Sequence, residues 1–188
     1  AYSPKSPALS DRATYTHFFR SIGPDGEASK AWARAFYEIG WRKVVLIREP
    51  GSVFDGVTDG FLEAAADLQL NISFNMALLP DFAEALALAK AVKSTGVRTS
   101  INLMYPATAS IWACALVARS MTYMHITAFM YFGAKFLQAE DLAAKYHPSC
   151  VTNALLQLQE GTLYTNLVQW HPAKKALSCA PDWTPDIA

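Results

Sequence analysis

The residues of this chain with chemical potential are few and scattered. Tyr105 stands where a short apolar run, Ile101-Asn102-Leu103-Met104, is broken by Tyr105-Pro106 and followed by a helical pattern from Ala107. In an open parallel sheet the residue at which a strand gives way to its helix faces the crevice where ligands bind. Tyr105 is therefore placed for a ligand contact, and a strand-end aromatic that merely packs is the competing reading. Cys114, further along that helix, is placed to be tied to another part of the chain. Three cysteines, Cys114, Cys150 and Cys179, allow one pair with one left over. None lies in a Cys-x-x-Cys arrangement, and His147, just before Cys150, lacks a second ligand pair, so no structural zinc site is expected. The four histidines, His17, His125, His147 and His171, fall on different elements and read as surface or satisfied structural residues rather than catalytic bases. Glu49, Asp55 and Asp59 gather around the loop after a strand, where they either bind an amine or are simply solvated. Asn71-Ile72-Ser73 is a glycosylation sequon, meaningful only in a secreted protein.

The signatures of common α/β enzymes are missing. There is no glycine-rich phosphate loop with its lysine, no Gly-x-Gly-x-x-Gly after a strand and no Gly-x-Ser-x-Gly elbow. No enzyme activity, cofactor or metal is expected. Lysine plus arginine equal aspartate plus glutamate at 16 each, so no overall field attracts nucleic acid or an anionic membrane. With no basic run or recognition motif, nucleic acid is not an expected partner.

The elements that must position these residues follow from periodicity. A chain of 188 residues with 52% hydrophobic content can bury about 70% of its unfolded surface as one domain. His17-Phe18-Phe19-Arg20 reads as a short strand, and Gly23-Pro24-Asp25-Gly26 as a breaker whose aspartate is available to cap a helix. Ala28, Trp32, Ala35, Phe36 and Ile39 recur at helical spacing, with Gly40 as the stop. Trp41 to Ile47 reads as a strand, Phe54 to Leu68 as a helix and Asn71 to Met76 as a strand. Asp81-Phe82-Ala83-Glu84 has the form of a capping box for a helix to about Lys93. Thr99 to Met104, a helix from Ala107 to about Met121, a strand from about His125 to Tyr131 and a helix from Lys135 to Lys145 continue the alternation. A short helix from Val151 to Gln159 and a strand from Leu163 to Trp170 complete it. The charge-free run between Arg98 and Arg119 is as long as a membrane span, but Asn102, Pro106 and scattered Thr and Ser favour a buried strand and helix. Strands separated by helices of about ten to fifteen residues imply an α/β fold, a parallel sheet with helices on both faces.

A set of motifs goes further. Ser6-Pro7-Ala8-Leu9-Ser10-Asp11, Phe18-Phe19-Arg20-Ser21 and Gly40-Trp41-Arg42-Lys43-Val44 together resemble the extracellular ligand-binding region of class C G-protein-coupled receptors. Within that class the likeness is nearest to the metabotropic, type B gamma-aminobutyrate receptors, whose Venus-flytrap module has the periplasmic-binding-protein type 1 fold. The narrower likeness rests on a strand ending in Tyr105 with Cys114 nine positions on, and on Cys150 followed eleven positions later by Gly161 after Glu160. The resemblance runs from about Ser3 to about Val168 and is strongest up to Glu49.

This resemblance implies an organisation and a site. Residues 1–22 would be the tail of the first lobe and the crossover, 23–170 the second lobe, and 171–188 a return segment or linker. Most of the first lobe would lie outside the chain, which accounts for the lack of a signal peptide at its start. Cys114 and Cys150 would form a disulfide within the second lobe, leaving Cys179 over. Ser6, Ser21 and Tyr105 would be ligand contacts, Tyr105 offering its face to an ammonium group. Two positions depart from the pattern. Ile22 stands where a ligand-contacting histidine is expected, and no tryptophan occurs near Gly133-Ala134. These departures shift the expectation from gamma-aminobutyrate toward a different amino acid, or toward a lobe that binds no small molecule.

The expected function is that of a receptor lobe on the extracellular side of the cell membrane, part of a longer chain. It would close on a small amino-acid-like ligand and pass that closure to a downstream membrane domain. Its partners would be the first lobe and membrane domain of the same receptor, and a second subunit in a homo- or heterodimer. The alternatives are a scaffold lobe working through dimer contacts, and a soluble amino-acid-binding protein of a transporter.

Overall fold

The computed structural model describes residues 7–20, 23–122, 126–129, 145–160 and 163–164. A 3₁₀ turn, Pro7–Ser10, leads to helix α1 (Asp25–Ile39), strand β1 (Lys43–Arg48), helix α2 (Ser52–Asp67) and strand β2 (Asn71–Ala77). Helix α3 (Phe82–Ser94), strand β3 (Thr99–Leu103), helix α4 (Pro106–Ala118) and strand β4 (Ile126–Phe129) follow. Helix α5 (Thr152–Glu160) and strand β5 (Leu163–Tyr164) are the last described elements. The five strands form one sheet in the order β2-β1-β3-β4-β5, and every pairing is parallel. This is the α/β architecture expected from the alternation of patterns.

The central strands explain the layers. Val44, Val45, Leu46 and Ile47 are all buried, as are all five residues of β3, so neither strand can leave a face in water. Val44 and Leu46, with Ile101 and Leu103, pack against Trp32 and Phe36 of α1 and Phe54, Val57 and Phe61 of α2. Val45, Ile47 and Met104 join a second core with Leu88 and Val92 of α3, Trp112 and Leu116 of α4, and Leu155 and Leu158 of α5. Phe36 anchors the first core, its ring 5.6 Å from Trp32, 5.1 Å from Trp41 and 6.1 Å from Phe61.

Local chemistry sets the helix boundaries. Gly40 ends α1 at φ 92°, donating to the Tyr37 carbonyl while Trp41 donates to that of Phe36, a Schellman closure. Asp81 caps α3, its carboxylate accepting from the Glu84 amide at 2.8 Å. The charge-free run resolves into β3 and α4, a helix of 13 residues buried on nearly every side. Among the described residues no helix is long and apolar enough to cross a membrane.

Three local expectations are corrected. Residues 17–20 form no strand: the Phe18 carbonyl is taken by the Arg12 guanidinium at 2.7 Å, and Phe19 is 69% exposed beneath the same cation. Asp25 does not cap α1, because extended Pro24 occupies the N-cap and Asp25 becomes the first helical residue, where its negative charge suits the helix dipole. Ile39, expected on the buried face of α1, is exposed at the last position of the helix, next to its Gly40 stop. The expected helix from Lys135 to Lys145 falls almost wholly outside the described residues, and of the last expected strand only Leu163 and Tyr164 lie within them.

Helices α1 and α2 cross with almost no space between them. A Cβ placed on Gly60 would meet the Gly26 carbonyl oxygen at 2.8 Å and the Ser29 hydroxyl at 2.9 Å. Ser29 is itself fixed by donating to the Gly26 carbonyl at 2.7 Å. Gly60→Ala is therefore expected to cost about 1 to 3 kcal/mol through overpacking, read as a lower urea midpoint of the protein at unchanged slope.

Candidate ligand-binding site

Strand order 2-1-3-4-5 has its topological switch point between β1 and β3, and ligands of such sheets bind outside the carboxyl ends of those two strands. The chain leaves β1 through Glu49-Pro50-Gly51 into α2 and leaves β3 through Met104-Tyr105 into α4. These two exits meet. The Glu49 amide donates to the Leu103 carbonyl at 2.8 Å, and the Glu49 carboxylate accepts from the Tyr105 amide at 3.1 Å.

The geometry of Tyr105 follows from the residue after it. A residue before proline is driven to extended backbone, and proline is well suited to the first helical position. Tyr105 accordingly takes φ −73°, ψ 160° at the N-cap, with Pro106 opening α4. Its carbonyl accepts the Ala109 amide at 2.9 Å, which starts the helix. Its ring stands edge-on to Phe54, centroids 4.9 Å apart and planes at 75°, and Phe54 is buried in the first turn of α2. Tyr105 itself remains 48% exposed. The phenol is thus backed by an aromatic and anchored through its backbone, with much of its surface turned to solvent.

Charge at this edge is partly balanced. Arg48, the last residue of β1, pairs through its guanidinium with Asp55 in the first turn of α2, while its buried Nε has no hydrogen-bond partner. An aromatic surface, the Glu49 carboxylate and the Arg48–Asp55 pair suit a small zwitterion better than a purely apolar ligand. Among the described residues no group of His, Cys, Asp and Glu is arranged to hold a metal ion.

The acidic residues expected around this loop divide. Glu49 is at the switch point, whereas Asp59 faces an open groove of about 740 Å³ between the 3₁₀ turn, α1 and α2, a groove that Asp55 also reaches. Lys30 in that groove bonds Glu63 at 3.0 Å, and this contact raises its pKa. Asp11 on the rim is held below the usual carboxylate range by the Thr14 hydroxyl and the Ala13 amide. Asp11 is exposed and Lys30 half-exposed, and the groove reads as a solvated surface.

The structure joins Cys114 of α4 to Cys150, just before α5, in a disulfide with Cα atoms 5.2 Å apart; both residues are fully buried. The bridge braces α4, the helix that Tyr105 starts, against α5. Ser6 and Ser21 lie outside the described residues, as do Cys179 and the two departing positions at Ile22 and Gly133-Ala134. Sequence reasoning placed Glu49 near a binding edge without linking it to Tyr105, and it did not single out Phe54. The usable signal was that both lie just beyond neighbouring central strands.

The strand order, the two-sided helical cover and the half-open switch point define an α/β lobe of the doubly wound class. The receptor family ligand binding region matches residues 1–175, and the chain belongs to that family, which has the periplasmic-binding-protein type 1-like fold. Over 181 residues it is 24% identical to gamma-aminobutyric acid type B receptor subunit 1 of Mus musculus, an alignment covering 92% of this chain and 18% of the relative. The same subunit of Rattus norvegicus is similar to the same extent. The chain thus spans 18% of the length of these curated relatives.

The disulfide closes a loop of 36 residues, and in the chain-entropy account removing it costs roughly 3 to 4 kcal/mol. The Cys114→Ala/Cys150→Ala double variant of the protein is expected to melt well below the parent, and a reductant should lower the parent's melting temperature while leaving the variant's unchanged.

Proposed function

We propose that this chain is the second lobe of an extracellular receptor module that clamps a small amino-acid-like ligand at the β1/β3 switch point. The ligand's ammonium group lies against Tyr105 with the Glu49 carboxylate beside it, and the first lobe of the same receptor supplies the opposing wall, with Ser6 and Ser21 among its contacts. The role is binding rather than catalysis. Closure is a population shift, because a ligand that touches both lobes favours the closed state only by the contacts it gains there. A membrane domain further along the same receptor reads that closure, in a homo- or heterodimer. The observation that carries this reading is the exposed Tyr105 ring, fixed at the switch point by the Glu49 hydrogen bond and the Phe54 edge contact.

A second reading rests on Ile22 and the missing tryptophan near Gly133-Ala134, which leave a receptor of this kind short of a polar group and a large aromatic surface. On that reading the lobe binds no small molecule and works through contacts with a partner subunit.

Calorimetric titration of the full ectodomain with a panel of free amino acids separates the two. The ligand-binding reading expects heat with at least one amino acid, with affinity falling about 2- to 30-fold in Tyr105→Ala and largely retained in Tyr105→Phe. Silence across the panel from an ectodomain that still dimerises supports the scaffold reading.

A further inference from the structure

The sequon Asn71-Ile72-Ser73 falls at one particular place in the fold. It opens β2, which pairs only with β1 among the described residues and so leaves its other side as the edge of the sheet. The register between the two strands jumps from Val44↔Ile72 to Val45↔Phe74, so Ser73 is the extra residue of a bulge. Asn71 is exposed, and the Ser73 hydroxyl donates to its side-chain oxygen at 3.2 Å. Further along the edge Asn75, Met76 and Ala77 are exposed, and beyond them Leu79 is 53% exposed. Leu78 donates inward to Arg48 at 2.8 Å, so by two-residue alternation the amides of Asn75 and Ala77 face outward. An open edge with apolar side chains beside it is a template for pairing with another chain. Among the described residues, the relief built into this edge is the bulge at its start. A second feature of the fold points to the same compartment. The buried Cys114–Cys150 bridge needs an oxidising compartment, and that is the secretory route on which Asn-x-Ser sites are modified.

We propose that Asn71 carries an N-linked glycan, and that this glycan covers the open edge of β2 and prevents it from pairing with β2 of a second copy. The side-chain amide nitrogen of Asn71 loses a proton as it bonds the anomeric carbon of an activated lipid-linked oligosaccharide, and the bond from that carbon to the lipid pyrophosphate breaks, the lipid pyrophosphate leaving with the electron pair. The bulge adds twist at the sequon, and the bulky, solubilising sugar stands over the strand that follows. This inference rests on the extracellular reading above.

The test uses the complete receptor chain expressed in eukaryotic cells. Mass analysis of the Asn71 peptide is expected to show a glycan in the parent and in Ser73→Thr, and none in Ser73→Ala. Native enzymatic deglycosylation of the folded parent, which avoids any folding defect of the variant, is expected to raise the fraction of higher-order species several-fold on size exclusion. Adding Ala77→Lys on the edge should reverse that rise, whereas Ala87→Lys on the exposed side of α3 should not. An unmodified Asn71 in a chain that reaches the cell surface with its bridge closed overturns the inference and leaves the receptor reading standing. A chain retained in the cytosol with free thiols overturns both. A deglycosylated parent as monodisperse as the glycosylated one overturns the shielding role.

Discussion

Burial of β1 and β3 on both faces is the constraint from which the rest of this lobe follows. Four consecutive apolar residues in β1 and a wholly buried β3 cannot sit at the surface of a two-layer structure. They require helices on each side, and two separate cores result, one with α1 and α2, the other with α3, α4 and α5. Once the cover is divided in this way, the connections leaving β1 and β3 pass to opposite faces of the sheet. The gap between their first residues is the crevice. The candidate site is therefore a by-product of how the core is enclosed.

That crevice is stiffened rather than left as two independent loops. Glu49 bridges from the β1 exit to the backbone of Tyr105, and Phe54 reaches from α2 to the Tyr105 ring. Pro106 restricts the backbone of the tyrosine before it, and the disulfide holds the helix that follows. A half-exposed aromatic side chain at the crevice is thus one whose backbone is held from both sides. Preorganisation of this kind lowers the ordering cost of binding. The groove between α1 and α2 offers the contrast: Lys30 is paired there with Glu63 and Asp55 with Arg48.

The fold was largely legible before any coordinates. Alternating strand and helix patterns, the glycine after α1 and the aspartate cap of α3 each reflect local physics that operates within a few residues, and the structure has them where the patterns lie. Local reasoning failed where a neighbour decides. Phe18-Phe19 has the composition of a strand, but a strand needs an adjacent edge, and Arg12 takes the available carbonyl instead. Asp25 is a good capping residue in the wrong position, displaced by one because Pro24 already provides the extended backbone that a cap requires.

The sequence by itself determined the fold class, the position of Tyr105 at the end of a strand and, through its resemblance to receptor ligand-binding regions, the family. Periodicity, proline and the order of motifs are properties of contiguous residues and can be read along the chain. Only the tertiary structure decided that β1 and β3 are neighbours, and hence that Glu49 and Tyr105, 56 positions apart, share a hydrogen bond with Phe54 packed beside them. It also decided that the sequon opens an edge strand. Strand order depends on which long-range pairing buries the most apolar surface, a competition among distant segments that no local window contains.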